Sequence, residues 1–125
     1  MTSSAIAVVG ASRDRRKFGN KCVRAYDKAG YDVYPVNLSE KVIEGFVAYR
    51  SLAELPIQPE RISIYLQPHR TEKLLSELSS CPQAEVWFNP GCADAAILER
   101  ARQMGIRVRA GCSIVDIGLS PSQFP

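Results

Sequence analysis

Between Val8 and Gly19 the chain reads Val8-Val9-Gly10-Ala11-Ser12-Arg13-Asp14-Arg15-Arg16-Lys17-Phe18-Gly19. Residues of these types, in this order, can hold a phosphate. A strand that ends in glycine and feeds a helix gathers backbone N–H groups at the positive end of the helix dipole. Gly10 lets the backbone turn tightly and come close to a ligand. The Ser12 hydroxyl can donate to a phosphate oxygen, and Gly19, early in the helix, permits close packing or ligand approach. Arg13, Arg15, Arg16 and Lys17 fall between the two glycines with one acid, Asp14, so they are expected to stand around the phosphates.

The spacing also excludes. The dinucleotide fingerprint G-x-G-x-x-G is absent, since Ala11 and Ser12 follow Gly10 and the next glycine is Gly19. The end of the second strand reads Pro35-Val36-Asn37-Leu38, with no carboxylate before Glu40 to hold a ribose 2′-hydroxyl, which disfavours NAD. The pattern G-x-x-x-x-G-K-[ST] is missing too, which disfavours ATP hydrolysis.

Other reactive side chains carry less. His69 follows Pro68 at a strand-to-helix junction but has no fixed carboxylate partner in sequence, and it reads as a helix-start or surface residue. Cys22, Cys81, Cys92 and Cys112 form no C-x-x-C pair, and one histidine cannot complete a usual zinc set. They read as reduced structural thiols. Cys92 and Cys112 fall in loops after strands, where redox or acyl-accepting chemistry is sterically open, yet only the helix start beside Cys92 would lower a thiol pKa there. Trp87 with Phe88 reads as sheet core, and Arg107 and Arg109, alternating with Val108, as an exposed strand face.

The elements that must position these groups alternate between apolar runs and amphipathic stretches, the signature of a largely parallel sheet flanked by helices. Residues 5–9 read as a first strand, apolar on both faces as a central parallel strand must be. Residues 18–29 read as a helix whose stripe is Phe18, Cys22, Ala25, Tyr26 and Ala29, stopped by Gly30. Residues 31–36 form a second strand that Pro35 places near an edge. A short third strand is expected over 46–49 and a brief helix over 51–55. Strands over 62–66, 85–88 and 106–108 follow, with helices over 71–78 and 93–104; the last has Ala96, Ile97, Ala101 and Met104 on one side.

Composition bounds the class. With 125 residues there is room for one domain, 1–125, and residues 119–125, with two prolines, are expected to be a frayed or loosely docked tail. No apolar run approaches the ~18 residues that cross a bilayer, and Met1 to Ser4 lack the basic and apolar parts of a leader. A cytoplasmic protein is expected, without membrane or nucleic-acid partners: the net charge of +3 is too mild to argue for nucleic acid.

Taken together, Val8-Val9-Gly10-Ala11-Ser12, Lys17-Phe18-Gly19, Gly30-Tyr31-Asp32-Val33-Tyr34-Pro35-Val36-Asn37, Val86-Trp87-Phe88-Asn89-Pro90-Gly91 and Gly105-Ile106 with Val108 and Cys112 give the chain a family likeness. It resembles the CoA-binding domain proteins, single-domain relatives of the CoA-binding domain of succinyl-CoA synthetase, over about its whole length. The resemblance implies a Rossmann-like, doubly wound α/β fold with a mostly parallel sheet of about five strands and helices on both faces. It implies coenzyme A as ligand, with the pyrophosphate at Gly10, Ala11, Ser12 and the Lys17, Phe18, Gly19 turn. It implies the adenosine beside Val36, Asn37 and Lys41, and Gln67 and Pro68 beside the ligand at the end of the fourth strand. This chain departs from the family pattern at Leu38 (usually proline), Asn89 (usually glutamine), Cys92 (commonly alanine) and Ala110-Gly111 (usually a charged pair).

The function expected is noncatalytic binding of CoA or an acyl-CoA, as a sensor, carrier or accessory subunit with no protein partner identifiable. The alternatives are an NAD(P)-binding regulatory domain, a component of an acyl-CoA ligase-type enzyme using His69 or a cysteine, and an interaction module that has lost its ligand.

Overall fold

The computed structural model describes residues 4–125; Met1, Thr2 and Ser3, part of the segment read above as lacking a leader, lie outside the described residues. The elements run β1 (Ala5–Val9), α1 (Phe18–Lys28), β2 (Asp32–Val36), β3 (Val42–Ile43), β4 (Phe46–Val47), β5 (Arg61–Ile64), α2 (Pro68–Leu78), β6 (Glu85–Phe88), α3 (Ala95–Gln103), β7 (Arg107–Ala110) and α4 (Ser113–Asp116). Single 3₁₀ turns form at Leu52–Glu54 and Pro121–Gln123.

Five strands make one sheet in the order β2-β1-β5-β6-β7, and every pairing in it is parallel. The fold is the expected Rossmann-like α/β arrangement. Because successive side chains on a strand point to opposite faces, β1 feeds two cores. Ile6 and Val8 pack with Ala25 and Tyr26 of α1, while Ala7 and Val9 pack with Leu75 of α2 and Ile97 of α3. Burial on both faces is why this strand reads as an unbroken apolar run. Pro35 is tolerated because β2 is an edge strand.

The structure corrects several expectations. Phe46 and Val47 do not join the main sheet; β4 pairs antiparallel with β3 as a separate two-stranded ribbon. Its turn is Glu44-Gly45, with φ of 50° and 82°, the left-handed pair that a two-residue hairpin loop requires. Tyr49 keeps one parallel bridge to Val36, a remnant of the expected third strand. In α3 only Ile97 and Ala101 of the predicted stripe are buried, because a helix lying flat on the sheet covers a narrow strip; Ala96 and Met104 face outward. Phe18 and Ala29 likewise leave the α1 stripe, which is buried through Gly19, Asn20, Cys22, Val23, Ala25 and Tyr26.

The tail differs as well. Ser120 caps the 3₁₀ turn in a reciprocal capping box, and Phe124, 8% exposed, seats in the α1-side core beneath Arg24 and Lys28. The Arg24 guanidinium donates to the Phe124 carbonyl at 3.0 Å. An aromatic anchor and a charged donor hold a segment that its two prolines suggested would fray or dock loosely. No helix among the described residues is long and apolar enough to cross a membrane.

Candidate functional site

From β1 the chain winds one way to β2 and later returns on the other side through β5. Where strand order reverses, loops leave the carboxyl ends in opposite directions and open a crevice. Here it is a cleft of about 800 Å³. Gly10, Ala11, Ser12, Lys17, Phe18 and Gly19 all line it, and so do Val36, Asn37 and Gln67. Pro68 opens α2 just outside the lining. Lys41 is elsewhere, in a second concavity of about 670 Å³ shared with Arg13 and Arg15.

The first loop is fixed by packing and by side-chain amides. The Gly10 N–H donates to the Val36 carbonyl at 3.1 Å, and its φ of +86° suits glycine. A Cβ at Gly10 would overlap the Tyr65 carbonyl oxygen, and one at Gly19 would stand 2.5 Å from the Gly10 carbonyl oxygen. Both glycines therefore let backbones approach one another, so the bareness of Gly10 serves chain packing as well as any ligand. Asn37 Nδ2 donates to the Ala11 carbonyl at 2.8 Å and Asn20 Nδ2 to the Ser12 carbonyl at 2.8 Å. The Ser12 hydroxyl accepts from the Asp14 N–H at 3.0 Å, which leaves its own proton to donate.

With those carbonyls held by amides, the N–H groups of Ala11, Ser12, Phe18 and Gly19 have no acceptor among the described residues. The starts of α1 and α2 carry neither a side-chain cap nor an acid in the first turn, and residues of both face the cleft. Open N–H groups beside two dipole ends favour an anion.

The charge distribution is not the one expected. Arg13 pairs with Glu40 at 3.6 Å, Arg15 with Glu44 at 3.4 Å and Arg16 with Asp14 at 3.1 Å. Hydrogen bonds from Arg16 hold the Asp14 carboxyl below its ordinary range. Of the run, only Lys17 lines the cleft. Sequence reasoning missed Arg50, Arg70 and Lys73, which line it too. The signal for two of them was present: Arg70, Lys73, Leu74 and Glu77 recur at i, i+3, i+4 and i+7, a second stripe beside the buried one of Thr71, Leu75 and Leu78.

At the far end of the cleft, Asn89 supports the loop that carries Pro90, Gly91 and Cys92. Its Nδ2 donates to Ser63 Oγ at 2.8 Å and to the Ile64 carbonyl at 3.0 Å, and its Oδ1 accepts from the Ser113 N–H at 2.9 Å. Cys92 is buried, and burial pushes its thiol up to about 11. Cys22, wholly buried, is raised to about 11 for the same reason. Neither is a thiolate at neutral pH. His69 is exposed and does not line the cleft. Among the described residues no three or more His, Cys, Asp or Glu side chains gather into a group that could hold a metal ion.

Residues 4–118 match the family described as the CoA binding domain. A stretch of 52 residues, 41% of this chain, is 42% identical to the alpha subunit of an ADP-forming acetate–CoA ligase II from Pyrococcus furiosus. The chain covers 11% of that relative's length. A conserved hypothetical protein from Pyrococcus furiosus superposes with a TM-score of 0.81 at 27% identity, covering 92% of this chain and 99% of that one. The acetyl-coenzyme A synthetase 1 of Ca. Korarchaeum cryptofilum superposes at 0.72 with 23% identity, covering 84% of this chain and 25% of that one. At that identity the likeness is one of fold.

Proposed function

This chain belongs to the CoA binding domain family, and on that premise we propose that its strand-end cleft binds coenzyme A or an acyl-CoA without turning it over. The observation that carries the reading is the first loop, where the open N–H groups of Ala11, Ser12, Phe18 and Gly19 meet Lys17. A pyrophosphate there accepts several N–H bonds and one charge-assisted bond at once. Val36 and Asn37 border the adenosine. Phe18 and Leu38, 59% and 62% exposed at the mouth of the cleft, offer apolar surface to the base or the pantetheine arm. Gln67 and Pro68 border the arm as it passes the end of β5, and the loop from Asn89 to Cys92 closes the cleft beyond.

The side chains support a reading without turnover. A nucleophile needs a base in hydrogen-bond reach or a lowered pKa. The histidine stands off the cleft and the Cys92 thiol is raised, so the chain acts as a sensor, carrier or accessory subunit. Calorimetry with CoA, acetyl-CoA and NAD tests this. CoA and acetyl-CoA should bind at least about tenfold tighter than NAD, and acetyl-CoA should remain intact on incubation. Heat from NAD with none from CoA, or thioester hydrolysis lost on Cys92→Ala or His69→Ala, would contradict the reading.

A further inference from the structure

We propose that Arg50, with Arg70 and Lys73 across the groove, forms a subsite for a phosphate carried on the adenosine ribose. The proposal rests on the reading that the first loop holds the pyrophosphate. The groove has two walls. Residues 50–52 make one, and the α2 stripe of Arg70, Lys73, Leu74 and Glu77 makes the other. They are tied together where Glu77 Oε1 accepts the Ala53 N–H at 3.0 Å. That bond occupies the only carboxylate in the lining, against the four cations Lys17, Arg50, Arg70 and Lys73.

The pairing pattern separates these cations from the rest. Arg13, Arg15 and Arg16 each have a carboxylate within 4 Å. Arg50, Arg70 and Lys73 have no ion-pair partner among the described residues. Four cations gathered on facing walls with one carboxylate among them leave a net positive charge, and an anion between them removes the repulsion.

Placement identifies the anion. The Tyr49 N–H donates to the Pro35 carbonyl and the Asn37 N–H to the Tyr49 carbonyl, both at 2.9 Å. Arg50 therefore stands next to the end of β2. With a pyrophosphate on the turn between β1 and α1, the ribose of the nucleotide falls against the end of the second strand. A carboxylate there selects a free hydroxyl, whereas an arginine accommodates a phosphate. The residue beside Arg50 is Asn37, whose Oδ1 already accepts the N–H groups of Ser39 and Glu40 at 2.8 Å, so it is not available to a hydroxyl proton. Lys41, expected beside the adenosine, lines the second concavity with Glu40 and Glu44.

Two ligands carry the chemistry, CoA as a 3′-phosphate and NADP as a 2′-phosphate. Calorimetry at low salt with CoA, dephospho-CoA, NADP and NAD distinguishes them, using the parent chain, Arg50→Gln, the Arg70→Gln/Lys73→Gln pair and Lys41→Gln. A matching melting curve for each variant establishes its fold. CoA should bind roughly tenfold to a hundredfold tighter than dephospho-CoA. Arg50→Gln should remove most of that ratio, the double variant much of the remainder, and Lys41→Gln should leave it intact. A ratio near unity in the parent chain, or one unchanged in Arg50→Gln, would overturn the subsite while leaving CoA binding in place. Discrimination of NADP from NAD, lost in Arg50→Gln, without binding of CoA would keep the subsite and overturn the CoA reading. Binding of none of the four ligands would overturn both.

Discussion

Gly10→Val is expected to cost the protein stability and ligand together. A non-glycine residue in the left-handed region costs about 1–3 kcal/mol, and a side chain forced into a packed space costs a further ~1–3 kcal/mol. Gly10 incurs both, with φ at +86° and its Cβ direction filled by the Tyr65 carbonyl. The sum is a large part of the ~5–15 kcal/mol that holds a typical domain together. The strain acts where β1 and β5 emerge side by side, since the Tyr65 N–H donates to the Val9 carbonyl at 2.8 Å. Relieving it moves the N–H groups of Ala11 and Ser12. Unfolding by urea should lose about 2–6 kcal/mol of stability, and CoA should give no measurable heat. A variant within about 0.5 kcal/mol of the parent, with undiminished CoA affinity, would show that this turn neither packs nor binds as described.

Asn20→Ala should separate binding from folding more cleanly. The Asn20 side chain is wholly buried and makes three hydrogen bonds, to the Ser12 carbonyl at 2.8 Å, to Glu44 at 3.1 Å and from Arg24 at 2.7 Å. Glu44 and Arg24 reach solvent and can rehydrate, so the stability cost is expected to be that of one stranded carbonyl, about 1–3 kcal/mol. The ligand loses more than the fold. Asn20 keeps the Ser12 carbonyl off the phosphate and, through Arg24, whose Nη2 donates to the Arg15 carbonyl at 2.8 Å, steadies the far side of the loop. Ordering a loosened loop on binding draws on the interaction energy. A loss of at least tenfold in CoA affinity, with the protein still folded, is the expected result. Full affinity in a folded Asn20→Ala would mean that the loop is set by Gly10, Gly19 and Asn37 without Asn20.

Much of this architecture was legible because a parallel sheet buried on both faces writes itself as apolar runs. Ala5–Val9 and Val86–Phe88 are such runs, and Ile62–Ile64 is one broken only by the buried, hydrogen-bonded Ser63. The ribbon of β3 and β4 was not legible, since two residues per strand give no period to detect, and Glu44 is an unexpected residue at positive φ. That turn residue holds the loop by accepting from Asn20 and pairing with Arg15.

The same ribbon explains the misread charges. Spacing locates the loop, but which arginine faces the cleft depends on acids that the fold brings up from the segment after β2. Glu40 and Glu44 draw Arg13 and Arg15 toward that segment. Arg50 was hidden for a related reason: its place beside Asn37 comes from the single bridge between Val36 and Tyr49.

The most direct test is a CoA titration followed through the backbone amides of the ¹⁵N-labelled protein. If pyrophosphate sits on the first loop, the amides of Ala11, Ser12, Phe18 and Gly19 should shift most, and in step with one another. Those of Asn37 and Gln67 should follow at smaller amplitude. Saturable shifts confined to residues 39–45, or to the outer face of β6 and β7, with the four loop amides unmoved, would contradict a phosphate site at the turn between β1 and α1.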